Sequence, residues 1–266
     1  MLIDLHVHTD RYSTCGRSSP EAMIERAAEV GLDALVFTEH NVHWPREELA
    51  ALQARYPAVR LYTGTELTSA DGDDFLVYGL TNRDVVGAGM EAAEILRTAR
   101  RQGAAVILAH PYRYRDAVPQ EIHMQPVDAI EIMSSNIYNY SHLRAVALAR
   151  ELGTVSTAAS DGHHVDMLGL YALEVDSLPE DERSLVDLIK SGEICFRVDS
   201  DRISAQNDVL LAEMPNIRTY IAQGLDNQEL RERLASYVNL TVIQGVREGR
   251  DVMRPWRVPD PVGVTR

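Results

Sequence analysis

Two histidines separated by one residue, His6 and His8, form the first pair of side chains that could do chemistry. Residues two apart on a strand point to the same side, so both imidazoles would face one ligand. Asp161 and His163 repeat this spacing with a carboxylate and an imidazole. Such a mixed set suits Zn²⁺, Mn²⁺ or Fe rather than Ca²⁺, which prefers oxygen alone, or Cu(I), which prefers sulfur. The spacing therefore predicts a metal site.

Further imidazoles and carboxylates lie at or near the ends of other apolar runs. His40 and His110 each end one run, Glu66 ends another, and Glu131 lies within a fourth. Each of these residues alone could belong to an ordinary turn, or could lie near the end of an apolar run by chance. In a parallel α/β barrel, however, the carboxyl ends of the strands share one face, where the loops build the active site. Their common position at strand ends favours one shared site.

The elements that position these side chains alternate between short apolar runs and amphipathic stretches. This alternation is typical of parallel strand–helix units, and about seven of them predict an α/β fold with a closed or nearly closed barrel. The acidic segment 71–74 is expected to form a hairpin turn. From about residue 200 the chain is helical and polar, so we expect a barrel in residues 1–200 and a C-terminal helical appendage in residues 201–266. The predicted strands cover residues 2–8, 34–38, 61–65, 75–80, 104–109, 129–133, 155–159 and 194–198.

Composition excludes several classes of protein. There are 40 Asp and Glu against 26 Lys and Arg, for a net charge of −14, which disfavours duplex nucleic acid and anionic membranes as partners. Two cysteines, Cys15 and Cys195, cannot form a disulfide framework, and we expect Cys195 to be buried. The sequence shows no signal-peptide pattern and no apolar run of membrane-spanning length, so we expect a cytoplasmic protein. Nothing in the pattern fixes an oligomeric state.

Five segments, in order, resemble the motifs of the PHP (polymerase and histidinol phosphatase) superfamily. The agreement in order and spacing extends from residue 2 to about residue 170. The resemblance implies a distorted (β/α)7 TIM-like barrel that holds two or three divalent metal ions (Mn, Fe or Zn) and hydrolyses phosphoesters. The five segments are Asp4-Leu5-His6-Val7-His8-Thr9, Thr38-Glu39-His40-Asn41, Gly64-Thr65-Glu66, Ala109-His110-Pro111 and Ser160-Asp161-Gly162-His163.

The resemblance also implies ligands for the first two ions. Glu66 would bridge both ions, and His110 would bind the second. Glu131 is the best match for a further ligand of the second ion, although Ser134 and Asn136 lie close enough in sequence to take its place. The residues implied for the first ion are His6, His8, Glu66 and Asp161.

For a third ion the resemblance implies His40 and His163. The family often supplies a further acidic or histidine ligand a few residues after the first motif, but residues 11–16 contain neither. The third site could therefore be weak or absent, or water, Cys15 or Asp10 could complete it.

The expected function is hydrolysis of a small phosphorylated metabolite or nucleotide. Two ions would neutralise the phosphate oxygens, and a hydroxide bridging them would be the nucleophile. Arg113 is a candidate clamp for the phosphate and Arg17 a second one, because a guanidinium matches phosphate geometry. Asp161 or His163 could also transfer a proton, in addition to binding metal.

Three alternatives remain at this point. A single-strand nuclease-type phosphodiesterase would use the same ions, and a non-catalytic metal-binding module would use them without turnover. Hydrolysis of C–N or lactone bonds on an amidohydrolase-like barrel usually needs a lysine at the fourth strand. The only lysine is Lys190, in a predicted late helix, so that alternative lacks its bridging group.

Overall fold

The computed structural model describes residues 1–83, 87–234 and 238–258, in which a nine-stranded sheet is surrounded by helices. The strands are β1 (Leu2–Val7), β2 (Ala34–Phe37), β3 (Arg60–Thr68), β4 (Asp74–Tyr78), β5 (Ala105–Leu108), β6 (Ala129–Met133), β7 (Val155–Ala158), β8 (Tyr171–Glu174) and β9 (Cys195–Val198). The helices are α1 (Pro20–Glu29), α2 (Arg46–Arg55), α3 (Ala92–Arg101), α4 (Glu121–Met124), α5 (Asn139–Leu152), α6 (Glu182–Ser191), α7 (Ser200–Ala222), α8 (Asn227–Arg233) and α9 (Leu240–Arg247).

Strands β1 to β7 form a ring that is nearly closed. The sheet order is β7-β6-β5-β4-β3-β2-β1-β8-β9, which leaves β7 without a paired strand on its outer side. The segment that follows β7 closes this gap at the carboxyl end of β1. There the His8 N–H donates to the Gly162 carbonyl over 2.9 Å, and the Gly162 N–H donates to the His6 carbonyl over 3.1 Å. The predicted α/β barrel is confirmed.

Strand β4 departs from the parallel strand–helix pattern, as the hairpin turn expected at residues 71–74 implies. Only residues 69–73 separate β3 from β4, which is too short for the crossover helix that a parallel pair requires. Strand β4 therefore runs antiparallel to both β3 and β5. As a result, the first residue of β4 lies at the rim where the parallel strands end.

Strands β8 and β9 extend the sheet outside the ring. Strand β8, which has no counterpart among the predicted strands, pairs antiparallel with both β1 and β9. Because β9 is the last strand of the sheet, one of its edges has no partner strand among the described residues. Cys195 is exposed there, so the expectation of a buried thiol is wrong.

Helices α7 to α9 carry an apolar cluster of their own. Leu210, Ile217 and Val242 pack around Tyr138, which precedes α5 of the barrel. The predicted boundary at residue 200 coincides with the start of α7. Residues 259–266 of the predicted appendage lie outside the described residues. In the part of the chain that the structure describes, no helix is long and apolar enough to cross a membrane.

Candidate metal centre

Four side chains at the carboxyl ends of the strands surround one point in the barrel. The Nε2 atoms of His6 and His8 lie 3.0 Å apart. Glu66 Oε2 lies 3.3 and 3.0 Å from these two nitrogens, and Asp161 Oδ1 lies 3.4 and 3.6 Å from them. A tetrahedral ion with bonds of about 2.1 Å holds its ligand atoms about 3.4 Å apart. These distances fit a first ion at the position that the sequence implied.

Two carboxylate oxygens of this group have the properties expected of cation ligands. Glu66 and Asp161 are fully buried, yet Glu66 Oε2 and Asp161 Oδ1 accept no hydrogen bond from the described residues. Leaving a buried polar group unpaired costs about 1–3 kcal/mol, and more when it is charged. A divalent cation between these oxygens and the imidazoles would remove that cost.

The imidazoles of His6, His8 and His163 are oriented by oxygen partners at Nδ1. His6 Nδ1 lies 3.0 Å from Glu131 Oε1, and His8 Nδ1 lies 3.3 Å from Ser13 Oγ. His163 Nδ1 lies 2.9 Å from the Asp161 carbonyl. An Nδ1–H that donates to an oxygen leaves Nε2 with a lone pair, which is the form that binds metal. In His6, His8 and His163 these hydrogen bonds at Nδ1 leave Nε2 as the nitrogen that could bind a cation.

The structure places Glu131 differently from its predicted role. Its Oε1 faces His6 Nδ1, on the side of the ring away from His8, and its Oε2 accepts the His110 N–H over 3.0 Å. Both oxygens therefore orient residues that could bind metal and do not themselves reach the group around His6 Nε2. We infer that Glu131 is a positioning residue.

Substituting Glu131→Gln tests this inference. An amide oxygen accepts a weaker hydrogen bond from His6 than a carboxylate does, so we expect metal affinity to fall by about tenfold, with the ion count unchanged. Competition against a chromogenic chelator measures the affinity, and Glu174→Gln on the exposed end of β8 is the control. Loss of a whole ion in Glu131→Gln would instead restore the predicted ligand role.

A second group lies beside the first and includes a residue that the sequence reasoning missed. His110 Nε2 lies 2.9 Å from Glu66 Oε1 and 3.9 Å from Asp74 Oδ2. One ligand atom from each of these three residues lies within 4.8 Å of the others. Asp74 is the first residue of β4, which reaches the rim because that strand is antiparallel. The sequence feature that could have identified Asp74 as a candidate ligand is the short acidic turn 71–74 between two strands.

Two of the candidate ligands have a backbone conformation that side chains rarely adopt. The φ angle is +26° at His110 and +48° at Asp161, both in the left-handed region. Such residues cost of order 1–3 kcal/mol each and persist only where the surroundings enforce them. Both strands thus turn sharply at the residue that projects into the centre, which is the behaviour expected of a functional site.

The carboxylates of the centre are ionised in their surroundings. Although burial raises the pKa of Glu66, attraction to the imidazoles of His40 and His6 holds it well below its ordinary value. Burial likewise raises the pKa of Asp161, but His6 and His163 lower it further than burial raises it. The surroundings therefore favour the ionised form of both carboxylates, which is the form that binds a divalent cation.

A third group lies at the outer side of the centre. Cys15 and one ring nitrogen each from His8, His40 and His163 lie within 4.8 Å of one another. The ring of His8 stacks on both of the others, with centroids 4.6 Å from His40 and 4.4 Å from His163, and the centroids of His40 and His163 are 6.3 Å apart. His40 and His163 are thus brought together, as the resemblance implied.

A cavity of about 700 Å³ opens beside this group, between the barrel and the C-terminal helices. Arg113 and Arg17, the two predicted phosphate clamps, both line it, and so does Arg254, which the sequence reasoning missed. Arg113 Nη1 lies 3.8 Å from Asp161 Oδ2 and 3.5 Å from His110 Nε2. Arg254 is largely buried and donates to the Ser135 carbonyl over 2.9 Å. Three guanidinium groups therefore face a space next to the candidate ions.

Solved structures similar to this chain share its fold at low sequence identity. A protein from Bifidobacterium adolescentis assigned as a metal-dependent phosphoesterase is 16% identical, covers 71% of this chain and 96% of its own, and has a TM-score of 0.52. The lesion-specific endonuclease PfuEndoQ from Pyrococcus furiosus is 16% identical over 73% of this chain and 57% of its own, with a TM-score of 0.56. An amidohydrolase from Chromobacterium violaceum with bound sulfate is 16% identical over 75% and 99%, with a TM-score of 0.50.

A search of curated proteins finds no match to this chain. The model of the PHP domain family, in contrast, matches residues 4–191, which include all five motifs and every candidate ligand named above. The match covers most of the chain and starts and ends within the described barrel. The chain therefore belongs to the PHP domain family.

Proposed function

We propose that this PHP protein is a metal-dependent phosphoesterase that hydrolyses a small phosphorylated metabolite or nucleotide. The observation that carries the proposal is the direct contact between the candidate two-ion centre and the arginine-lined cavity. Arg113 belongs to both, because it lines the cavity and lies within 4 Å of Asp161 and His110.

The residues divide the work of hydrolysis between them. Divalent ions, when bound, neutralise phosphate oxygens and lower the pKa of a water molecule. Arg113 holds the remaining phosphate oxygens, because its planar fork of N–H donors matches them. Asp161 Oδ1 lies 3.4 and 3.6 Å from the Nε2 atoms of His6 and His8, so we assign this carboxylate to metal binding and not to proton transfer. His163 lines the cavity, where its Nε2 faces either an ion or the leaving group.

The size and charge of the cavity support a small anionic substrate. Its volume of about 700 Å³ is in the ordinary range for small-molecule sites, about 300–1,000 Å³. Three arginines line it in a protein whose net charge is −14, so positive charge is concentrated at this place. The net charge of −14 disfavours a long polyanion as the substrate.

The test is hydrolysis of a broad panel of phosphomonoesters and small phosphodiesters by Mn²⁺-loaded protein. We expect turnover of at least one small phosphoester at about 10³ times the rate of a His8→Ala control, because His8 is a ligand of the first ion. The proposal would be overturned if the native protein hydrolysed every substrate of the panel no faster than the His8→Ala variant does. Elemental analysis of both proteins belongs to the same experiment.

Two further measurements distinguish the phosphoesterase from the nuclease and the non-catalytic module. Labelled single-stranded and lesion-containing duplex DNA test the nuclease alternative, since a solved neighbour acts on such DNA; preferential DNA cleavage that falls steeply with added salt would favour it. Full metal occupancy without turnover of any substrate would favour the non-catalytic module. Lys190 donates to the Gly103 carbonyl over 3.0 Å on the outside of the barrel, so it offers no bridge for amidohydrolase-like chemistry.

A further inference from the structure

We propose that Cys15 is a thiolate ligand of a third metal site, with His40 and His163, and that this sulfur makes the site prefer Zn²⁺ or Fe²⁺ to Mn²⁺. The inference deepens the proposed function, because the third ion would lie at the mouth of the same cavity. Cys15 and His163 both line that cavity.

The loop that carries Cys15 is folded back onto the end of β1. Its ends are joined by the Asp10 N–H, which donates to the Ser18 carbonyl over 3.0 Å. Inside the loop, the Gly16 N–H donates to the Ser13 carbonyl over 3.0 Å. A Cβ on Gly16 would lie only 2.2 Å from the Thr9 carbonyl oxygen, so only glycine permits this close return. The position of Cys15 is therefore fixed by the backbone.

A buried carboxylate holds the same loop against β2. Glu39 is fully buried and accepts hydrogen bonds from the Thr9 hydroxyl, the Ser13 hydroxyl and the Trp44 indole N–H. The Ser13 hydroxyl, which donates to Glu39 over 2.5 Å, also accepts the His40 backbone N–H over 3.1 Å. Since one hydroxyl links the Cys15 loop to the His40 backbone, these two candidate ligands are held in a fixed relation.

The histidines near Cys15 differ in which of their ring nitrogens could bind a third ion. His8 Nε2 faces Glu66 and Asp161 and is already assigned to the first ion. His163 donates its Nδ1–H to the Asp161 carbonyl and keeps Nε2 for an ion. His40 Nδ1 lies 3.1 Å from Glu66 Oε2, and one ring nitrogen of His40 lies within 4.8 Å of the ligand atoms of Cys15 and His163. Cys15, His40 and His163 then supply three ligands, and a fourth position remains for water or a substrate oxygen, as in catalytic zinc sites.

Sulfur decides which ions such a site prefers. A thiolate is a soft ligand that favours Zn²⁺ and iron, whereas Mn²⁺ prefers carboxylate and water. The first and second groups contain only nitrogen and oxygen donors, in the residues His6, His8, Glu66, Asp74, His110 and Asp161. The first two sites would thus accept Mn²⁺, whereas the third site, which contains sulfur and lies next to the cavity, would prefer Zn²⁺ or Fe²⁺.

Cobalt provides the direct probe, because Co²⁺ bound to a thiolate gives an intense near-ultraviolet charge-transfer absorption that nitrogen and oxygen ligands do not give. We expect this band in native protein titrated with Co²⁺ and in Cys195→Ser, and its loss in Cys15→Ser. Cys195 is the matched control because it is the other cysteine and is also exposed. A band that persists in Cys15→Ser, or a native protein without the band, would overturn the inference.

Alkylation of the native protein gives a second readout that needs no variant. At a Zn²⁺ concentration about tenfold above the dissociation constant, iodoacetamide labelling of Cys15 should slow by about tenfold, while labelling of Cys195 serves as the internal reference. Equal labelling of Cys15 with and without Zn²⁺ would contradict the proposal. Cys15→Asp is the rescue variant: it should bind the third ion without the cobalt band and should prefer Mn²⁺ over Zn²⁺.

The outcomes separate this inference from the proposed phosphoesterase activity. The first two sites lack sulfur, so the Mn²⁺-loaded panel tests the activity without the third site. Turnover without the cobalt band would leave the function standing and refute the cysteine site. The band without turnover would establish the site and refute the function.

Discussion

Replacing the bridging carboxylate in Glu66→Gln is expected to lower kcat/KM by about 10³-fold or more, equivalent to about 4 kcal/mol of transition-state stabilisation. The reason is that its two oxygens would serve two ions. Glu66 Oε2 lies 3.0 Å from His8 Nε2, and Glu66 Oε1 lies 2.9 Å from His110 Nε2. An amide is neutral, and its nitrogen cannot bind a cation, so one of the two contacts is lost together with the charge.

Steady-state kinetics on the best substrate of the panel, together with elemental analysis, measures this effect. The matched control is Glu94→Gln, which makes the same chemical change on the exposed face of α3 and should leave both quantities unchanged. If Glu66→Gln keeps full activity and the native number of ions, the bridging role is refuted. A circular dichroism melt shows whether the variant has folded.

Removing the ions with a chelator is expected to lower the melting temperature of the native protein by about 10 °C. An ion that binds only the folded state, at a free concentration about 10³ times its dissociation constant, stabilises the fold by about 4 kcal/mol. For a chain of this size about 1 kcal/mol corresponds to roughly 2–4 °C. The effect is large because the ionised carboxylates of Glu66 and Asp161 are buried without a compensating hydrogen bond on one oxygen each.

Differential scanning calorimetry with chelator, and again after Mn²⁺ is restored in excess, measures this change. Glu66→Gln is the informative comparison, because it removes a ligand together with one buried charge and should respond much less to the chelator. If the melting temperature of the native protein changes neither with chelator nor with added Mn²⁺, then no bound ion stabilises the folded state.

The positions of the principal candidate ligands could be predicted because they depend on short-range regularities. The two-residue spacing of His6 and His8 fixes their common side of β1, and a parallel strand delivers its last residue to a known rim. Asp161 and His163 were found in the same way. The barrel followed from the alternation of strands and helices.

The remaining parts of the site depend on relations that no local pattern contains. Asp74 reaches the centre only because a five-residue turn reverses the direction of β4, which transfers the start of that strand to the rim. Glu131 lies on a strand of the barrel, as expected, but only the three-dimensional structure shows that it faces Nδ1 of His6 rather than Nε2. Arg254 comes from a segment distant in sequence, whose contacts are set by tertiary packing.

One chain of side-chain amides connects the C-terminal helices to the metal centre. Asn239, the residue before α9, donates to Asn136 over 3.1 Å, and Asn136 donates to Asp161 Oδ2 over 2.5 Å. A substrate that contacts Asn239 would therefore be linked to the candidate ion ligand Asp161 through two hydrogen bonds. Because such coupling is reciprocal, substrate binding and ion retention must change each other's free energy by the same amount. A change of substrate at this side of the cavity would then also change the affinity of the centre for its ions.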